Sequence, residues 1–121
     1  MNLNESLSGE IRTVYKTPQF EVFYNSLPVK VQVKFKYVID VFTTVYDVST
    51  KFVKHLHDTD LYEMRISVGT NEYRTILFAI DKPNIIEATK VILLNGFLKK
   101  SSKDYRKQIE IALSILNDLE Q

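Results

Sequence analysis

The 121-residue sequence has no cysteine and only three glycines. Without cysteine there is no disulfide and no thiolate metal site. Three glycines leave no phosphate-cradling loop. No apolar run approaches the roughly 20 residues that a membrane helix needs. The opening residues, Met1-Asn2-Leu3-Asn4-Glu5-Ser6, lack the basic and apolar stretches of a secretion signal. No internal repeat or low-complexity segment interrupts the chain. These absences lead to the expectation of a cytoplasmic protein with no membrane contact.

Hydrophobic residues make up 45% of the chain and charged residues 26%, which argues for a folded domain and against disorder. The length suits one domain with a single core. It is expected over residues 11–121, behind a polar, flexible segment at 1–10. Net charge is only +1, yet the basic residues are unevenly placed. Lys99, Lys100, Lys103, Arg106 and Lys107 cluster, opposed only by Asp104, while the later residues carry Glu110, Asp118 and Glu120. Such a cluster is either a solvated helix start or a surface for an anionic partner.

Ile11 to Tyr15 can form a short strand. Thr17-Pro18 reads as a helix start, with Thr17 as N-cap and Pro18 at the first helical position. Phe20, Phe23, Tyr24 and Leu27 follow at helical spacing. From Val29 two periodicities compete. Val29, Val31, Val33, Phe35 and Tyr37 alternate like a strand, whereas Val31, Phe35, Val38, Phe42 and Val45 are spaced like a helix. The helical pattern runs the full stretch to Tyr46, so a helix is predicted. Leu61–Val68 alternates, with Tyr62, Met64, Ile66 and Val68 on one face and Glu63, Arg65 and Ser67 on the other. Gly69-Thr70-Asn71 turns the chain into a return strand, Tyr73–Ile80. A second turn, Asp81-Lys82-Pro83-Asn84, leads to the apolar strand Lys90–Phe97. Ser101 then caps a helix striped by Tyr105, Ile109, Ala112, Leu116 and Leu119. The predicted class is α+β, in the order β-α-α-β-β-β-α, with an antiparallel meander.

Three stretches, with their order and spacing, carry a likeness to a known family: Leu61-Tyr62-Glu63-Met64-Arg65, Glu72-Tyr73-Arg74-Thr75-Ile76-Leu77-Phe78, and Val91-Ile92-Leu93-Leu94-Asn95-Gly96-Phe97-Leu98-Lys99-Lys100. From Ile11 to Leu119 the sequence resembles the RelE/ParE toxin superfamily, in its phage-derived HigB-like branch. The resemblance implies a type II toxin: a metal-independent endoribonuclease, or mRNA interferase, that cuts messenger RNA on the ribosome. It implies inhibition by a cognate antitoxin, a small helix-turn-helix protein, and the charge distribution leads to the expectation that this partner is acidic where it meets Lys99 and Lys100. No cofactor or metal is implied. The ParE branch shares the fold but binds DNA gyrase, and a degenerate member would only bind its antitoxin, so fold alone does not settle function.

Metal-free RNA cleavage needs a base for the 2′-hydroxyl proton, cations for the phosphate charge and an acid for the leaving oxygen. The resemblance assigns Arg65 as the catalytic strand arginine, and arginine grips phosphate with two prongs. Its alternative role is a surface ion pair with Glu63. If Arg65 is a catalytic residue on the polar face of its strand, Arg65→Ala would change stability by only about 0.5 kcal/mol, whereas an ion-pair residue would lose activity only through unfolding. Arg74 matches the Tyr-Arg pair of the next strand, or holds the sheet edge through a carboxylate. Lys99 and Lys100 match a basic pair at the active-site rim, or are solvated. Tyr105 matches a tyrosine that stacks on a base or moves a proton, or belongs to the core with Ile109. The adjoining Lys103, Arg106 and Lys107 are expected to bind RNA. His55 and His57 are the only histidines, a residue type able to serve as base or acid. His57 is the catalytic candidate of the two, a surface loop position being the alternative, and their His-x-His spacing lacks an evident third metal ligand.

Overall fold

The computed structural model describes residues 10–121, so the flexible segment expected at 1–10 lies outside it except for Glu10. The elements are β1 (Thr13–Lys16), α1 (Pro18–Asn25), α2 (Val29–Thr44), β2 (Val53–His55), β3 (Leu61–Val68), β4 (Asn71–Ala79), β5 (Lys90–Leu98) and α3 (Ser102–Leu119). The strands form one sheet in the order β1-β5-β4-β3-β2. β1 runs parallel to β5 and the other neighbours are antiparallel. The α+β class stands, with a mixed sheet and one strand, β2, beyond those expected. Its three residues are too few for an alternation to show. Pairing makes them a strand, with Val53 opposite Met64 and His55 opposite Tyr62.

Local signals set the helix starts. Thr17 is extended and its hydroxyl accepts from the Phe20 amide at 3.0 Å, with Pro18 opening α1. Ser101 caps α3 in the same way through the Asp104 amide. In α2 the helical period wins: Val31, Phe35, Val38 and Phe42 are buried, while the alternating Val29, Val33 and Tyr37 are exposed. The helix stops at Thr44, short of the expected Tyr46, because Val45 turns extended at the cap. Buried Arg12 lies just beyond. Its guanidinium donates to the carbonyls of Phe42, Val45, Tyr46 and Ile86, satisfying acceptors that a helix end leaves open.

Each face of the sheet carries its own core. Phe20, Phe35 and Phe42 of α1 and α2 pack on Met64, Ile66, Leu77 and Leu93. Ala112 and Ile115 of α3 pack on Leu61, Ile76, Leu94 and Phe97 of the opposite face. In β5 the register slips at Leu94, since Asn95 faces Ile76 and Leu93 faces Leu77. Beyond this bulge Gly96 meets α1, where a Cβ would come within 2.3 Å of the Phe23 ring. Gly69 sits at φ +60° in the two-residue turn between Val68 and Asn71, a conformation that suits glycine.

Candidate active site

The alternation of β3 sends Glu63 and Arg65 to the face that α3 covers. Glu63 is thereby 2% exposed, and a buried carboxylate is costly unless paired. Among the described residues it has three partners. Arg65 Nε donates to Oε2 at 2.6 Å. The Tyr105 hydroxyl, from the first turn of α3, donates to Oε1. Arg74 Nε lies 3.6 Å from Oε2, a coulombic contact beyond hydrogen-bond reach, and that nitrogen has no other partner among the described residues. Arg65 and Arg74 sit directly opposite on neighbouring strands, where like charges repel. The carboxylate between them makes that placement tenable.

The two arginines are held differently. Arg74 is on the middle strand and its side chain is 6% exposed. Its Nη1 donates to Glu72 at 3.3 Å and to the Tyr73 carbonyl at 3.0 Å. The reading of Arg74 as holding the sheet edge is therefore corrected: its strand is the middle one, and its carboxylate partners are buried Glu63 and half-exposed Glu72. The hydroxyl of Ser67, and then Arg74 and Lys99, hold the Glu72 carboxyl below the usual carboxylate range. The Arg65 side chain, by contrast, is 34% exposed. Among the described residues it is anchored through Nε alone, which leaves both Nη groups open.

Arg65 lines a cleft of about 320 Å³ together with Lys54, His55, Leu56, His57, Glu63, Lys99 and Tyr105. Lys99 Nζ lies 5.8 Å from the centre of the Tyr105 ring, close enough for a cation–π contact. Tyr105 takes up its core reading, its ring packing on Phe97 and joining the α3 core, and its hydroxyl reaches Glu63. His55 Nε2 is 2.7 Å from the Thr59 carbonyl. A carbonyl only accepts, so Nε2 donates there, and Nδ1 has no partner among the described residues. His57 stands at the rim, its side chain 96% exposed and 3.5 Å from Asp58.

The structure thus brings together Arg65, Lys99, Tyr105 and His57. Arg74 stands behind Glu63 and lines a neighbouring hollow instead. Lys100 is exposed outside the cleft. Lys103, Arg106 and Lys107 occupy the outer face of α3, in a separate shallow hollow with Asp104 and Glu110. Sequence reasoning missed Lys54, passed over His55 and placed Glu63 on the surface. Lys54 and His55 gave no signal because β2 was invisible. Glu63 did give one, since the α3 stripe needed an apolar face and Leu61 precedes it by two on the same side. Among the described residues no group of three or more His, Asp or Glu could hold a metal. No helix among the described residues is long and apolar enough to cross a membrane.

The sequence model of the family described as Phage derived protein Gp49-like (DUF891) matches residues 23–117, a range that contains every residue of the cleft. No curated protein matches the sequence at a significant level. Among solved structures, the chain is similar to a double arginine-to-alanine mutant of E. coli RelE toxin in the free state. That match has a TM-score of 0.59 at 14% identity, covering 83% of this chain and 96% of that one. The intact E. coli RelBE toxin–antitoxin complex matches at TM-score 0.53 and 14% identity, over 74% and 99% of the two chains. The isolated E. coli RelE toxin matches at TM-score 0.53 and 15% identity, over 82% and 96%. At these identities the likeness is one of fold, and the expected RelE-like architecture is borne out.

Proposed function

This chain belongs to the phage-derived Gp49-like family, and from that membership and the open arginine fork above Glu63 we propose that it is a toxin with endoribonuclease activity. Its substrate is messenger RNA, cut on the ribosome. One observation carries the reading. The Arg65 guanidinium is fixed by Nε on a buried carboxylate, with both Nη groups unpaired among the described residues, and Arg65 lines a cleft that also holds Lys54, Lys99, His55 and Tyr105. A preorganised cation at the point where charge develops is what phosphoryl chemistry requires.

In the proposed reaction the 2′-oxygen attacks the adjacent phosphorus and the bond to the 5′-oxygen breaks, leaving a cyclic phosphate. The 2′-hydroxyl proton goes to a base and the departing oxygen takes a proton from an acid. Arg65 grips the phosphate, and Lys99 and Lys54 add positive charge. His55, His57 at the rim and Tyr105 are the groups for proton transfer. Glu63 positions Arg65, and Arg74 supports it from behind. The step uses no metal or cofactor.

The likeness to a toxin solved with its antitoxin supports an antitoxin partner, acidic where it covers Lys99 and Lys100. Such binding weakens as salt rises. The test is expression of the chain alone in bacteria. Growth arrest with cuts mapped inside translated messages is expected. Intact messages with inhibited DNA supercoiling would move the chain to the gyrase-binding class.

A further inference from the structure

A second hollow, of about 330 Å³, adjoins the cleft, and Arg65 lines both. Lys34 of α2, Lys51, Phe52, Ser67, Glu72 and Arg74 complete its wall. Four of these seven side chains are cationic and one is acidic, a local balance of +3 in a chain whose net charge is +1. Counting Glu63 against Arg65 still leaves +2. The acid is already committed, since Glu72 takes the Ser67 hydroxyl at 2.9 Å and Arg74 Nη1 at 3.3 Å. Lys34 and Lys51 pair with no carboxylate among the described residues. Arg74, whose side chain is 6% exposed, lines the hollow with its Nε lacking a hydrogen bond.

We propose that this hollow is a subsite for the backbone of single-stranded RNA next to the cut nucleotide, with Lys34 and Lys51 on its flanking phosphate. The proposal rests on the nuclease reading and extends it. A strand gripped by a phosphate at Arg65 must leave the cleft, and its next charge comes one nucleotide later. The shared arginine makes the second hollow an exit that offers cations at that step. Phe52, half-buried in the wall, adds an aromatic surface, and single-strand sites combine cations along the backbone with aromatic platforms.

The test is binding of fluorescent 2′-O-methyl oligoribonucleotides, which cannot be cut, in lengths of about three and about ten nucleotides. The wild-type chain is compared with the Lys34→Ala/Lys51→Ala double variant across a salt series. The expected result is that the variant binds the long strand about fivefold or more weakly, with a salt slope shallower by about 1.4. Affinity for the short strand and melting temperature stay as in wild type. Equal binding of the long strand by both proteins overturns the proposal. So does an equal loss at both lengths, or no binding of either strand by the wild type. A variant that loses polyglutamate binding while keeping RNA binding assigns the hollow to an acidic protein and also overturns it. Message cleavage in a translation extract is followed separately. Failure there, with the length effect intact, sinks the nuclease reading and leaves the subsite standing.

Discussion

Tyr105 and Glu63, 42 residues apart in sequence, meet at the seam between α3 and the sheet, where the tyrosine hydroxyl donates to the buried carboxylate. The contact joins the docking of α3 to the charge that holds Arg65, so fold and site share one hydrogen bond. Tyr105→Phe keeps the ring packing on Phe97 and deletes only the donor. The expected stability loss is about 1.5 kcal/mol, the usual size for a bond to a charged group. RNA cleavage falls further than the melting temperature predicts, because the oxygen also leaves the cleft. Thermal melts beside cleavage rates check this, and a variant with full activity would remove Tyr105 from the chemistry.

Arg65→Ala is expected to lower cleavage roughly 100- to 1000-fold, the scale for a cation at a developing charge. The sequence-based figure for its stability cost is revised upward by the structure. Glu63 is 2% exposed and Arg65 is its closest cation, so the loss is about 1–3 kcal/mol. Arg74 and Tyr105 keep the carboxylate from being orphaned. Adding Glu63→Gln to Arg65→Ala therefore recovers part of the stability and none of the activity. Arg65→Lys rescues activity in part, since it restores charge without the fork. Lys82→Ala, in the turn after β4, serves as an unaffected control. A double mutant as unstable as the single one would count against the buried-carboxylate account.

Acid sensitivity has a local source in Asp81. Its carboxylate accepts from the amides of Thr89 and Lys90, each at 3.0 Å, and from the Thr89 hydroxyl. These bonds, the Thr89 hydroxyl first, lower its pKa to about 2 from 3.8. The folded pKa lies below the unfolded one, so the unfolded chain binds the proton more readily and stability rises with pH. The contribution is complete above about pH 4 and fades as pH falls toward 2. Asp81→Asn is expected to lower stability at neutral pH and to converge with wild type near pH 2. Parallel denaturation curves at a series of pH values would show this, and a constant gap between the two proteins would refute it.

Gly96→Ala tests the contact between β5 and α1. The added Cβ would stand 2.3 Å from the Phe23 ring, so the ring or the strand must shift. Such overpacking costs about 1–3 kcal/mol. Chemical denaturation measures it. Shrinking the ring in the double variant Gly96→Ala/Phe23→Leu should return part of the loss, and no recovery would place the strain elsewhere.

The sequence by itself determined the elements whose signals are local. Thr17-Pro18 and Ser101 placed helix starts because capping is settled within one turn. Leu61–Val68 showed its two faces because a strand repeats every two residues. The spacing of Val31, Phe35, Val38 and Phe42 outvoted a shorter alternation. Arg65, Lys99 and Tyr105 were legible as candidates through the resemblance of the stretches around them. Tertiary structure decided the rest. β2 exists because β3 supplies its hydrogen bonds, and with it came Lys54 and His55. Glu63 became buried because α3, dozens of residues later, folds over its face. Arg12 became an interior cap because the end of α2 and the Ile86 loop converge on it. Each of these depends on a partner distant in the chain, and no window of sequence contains both halves of such a contact.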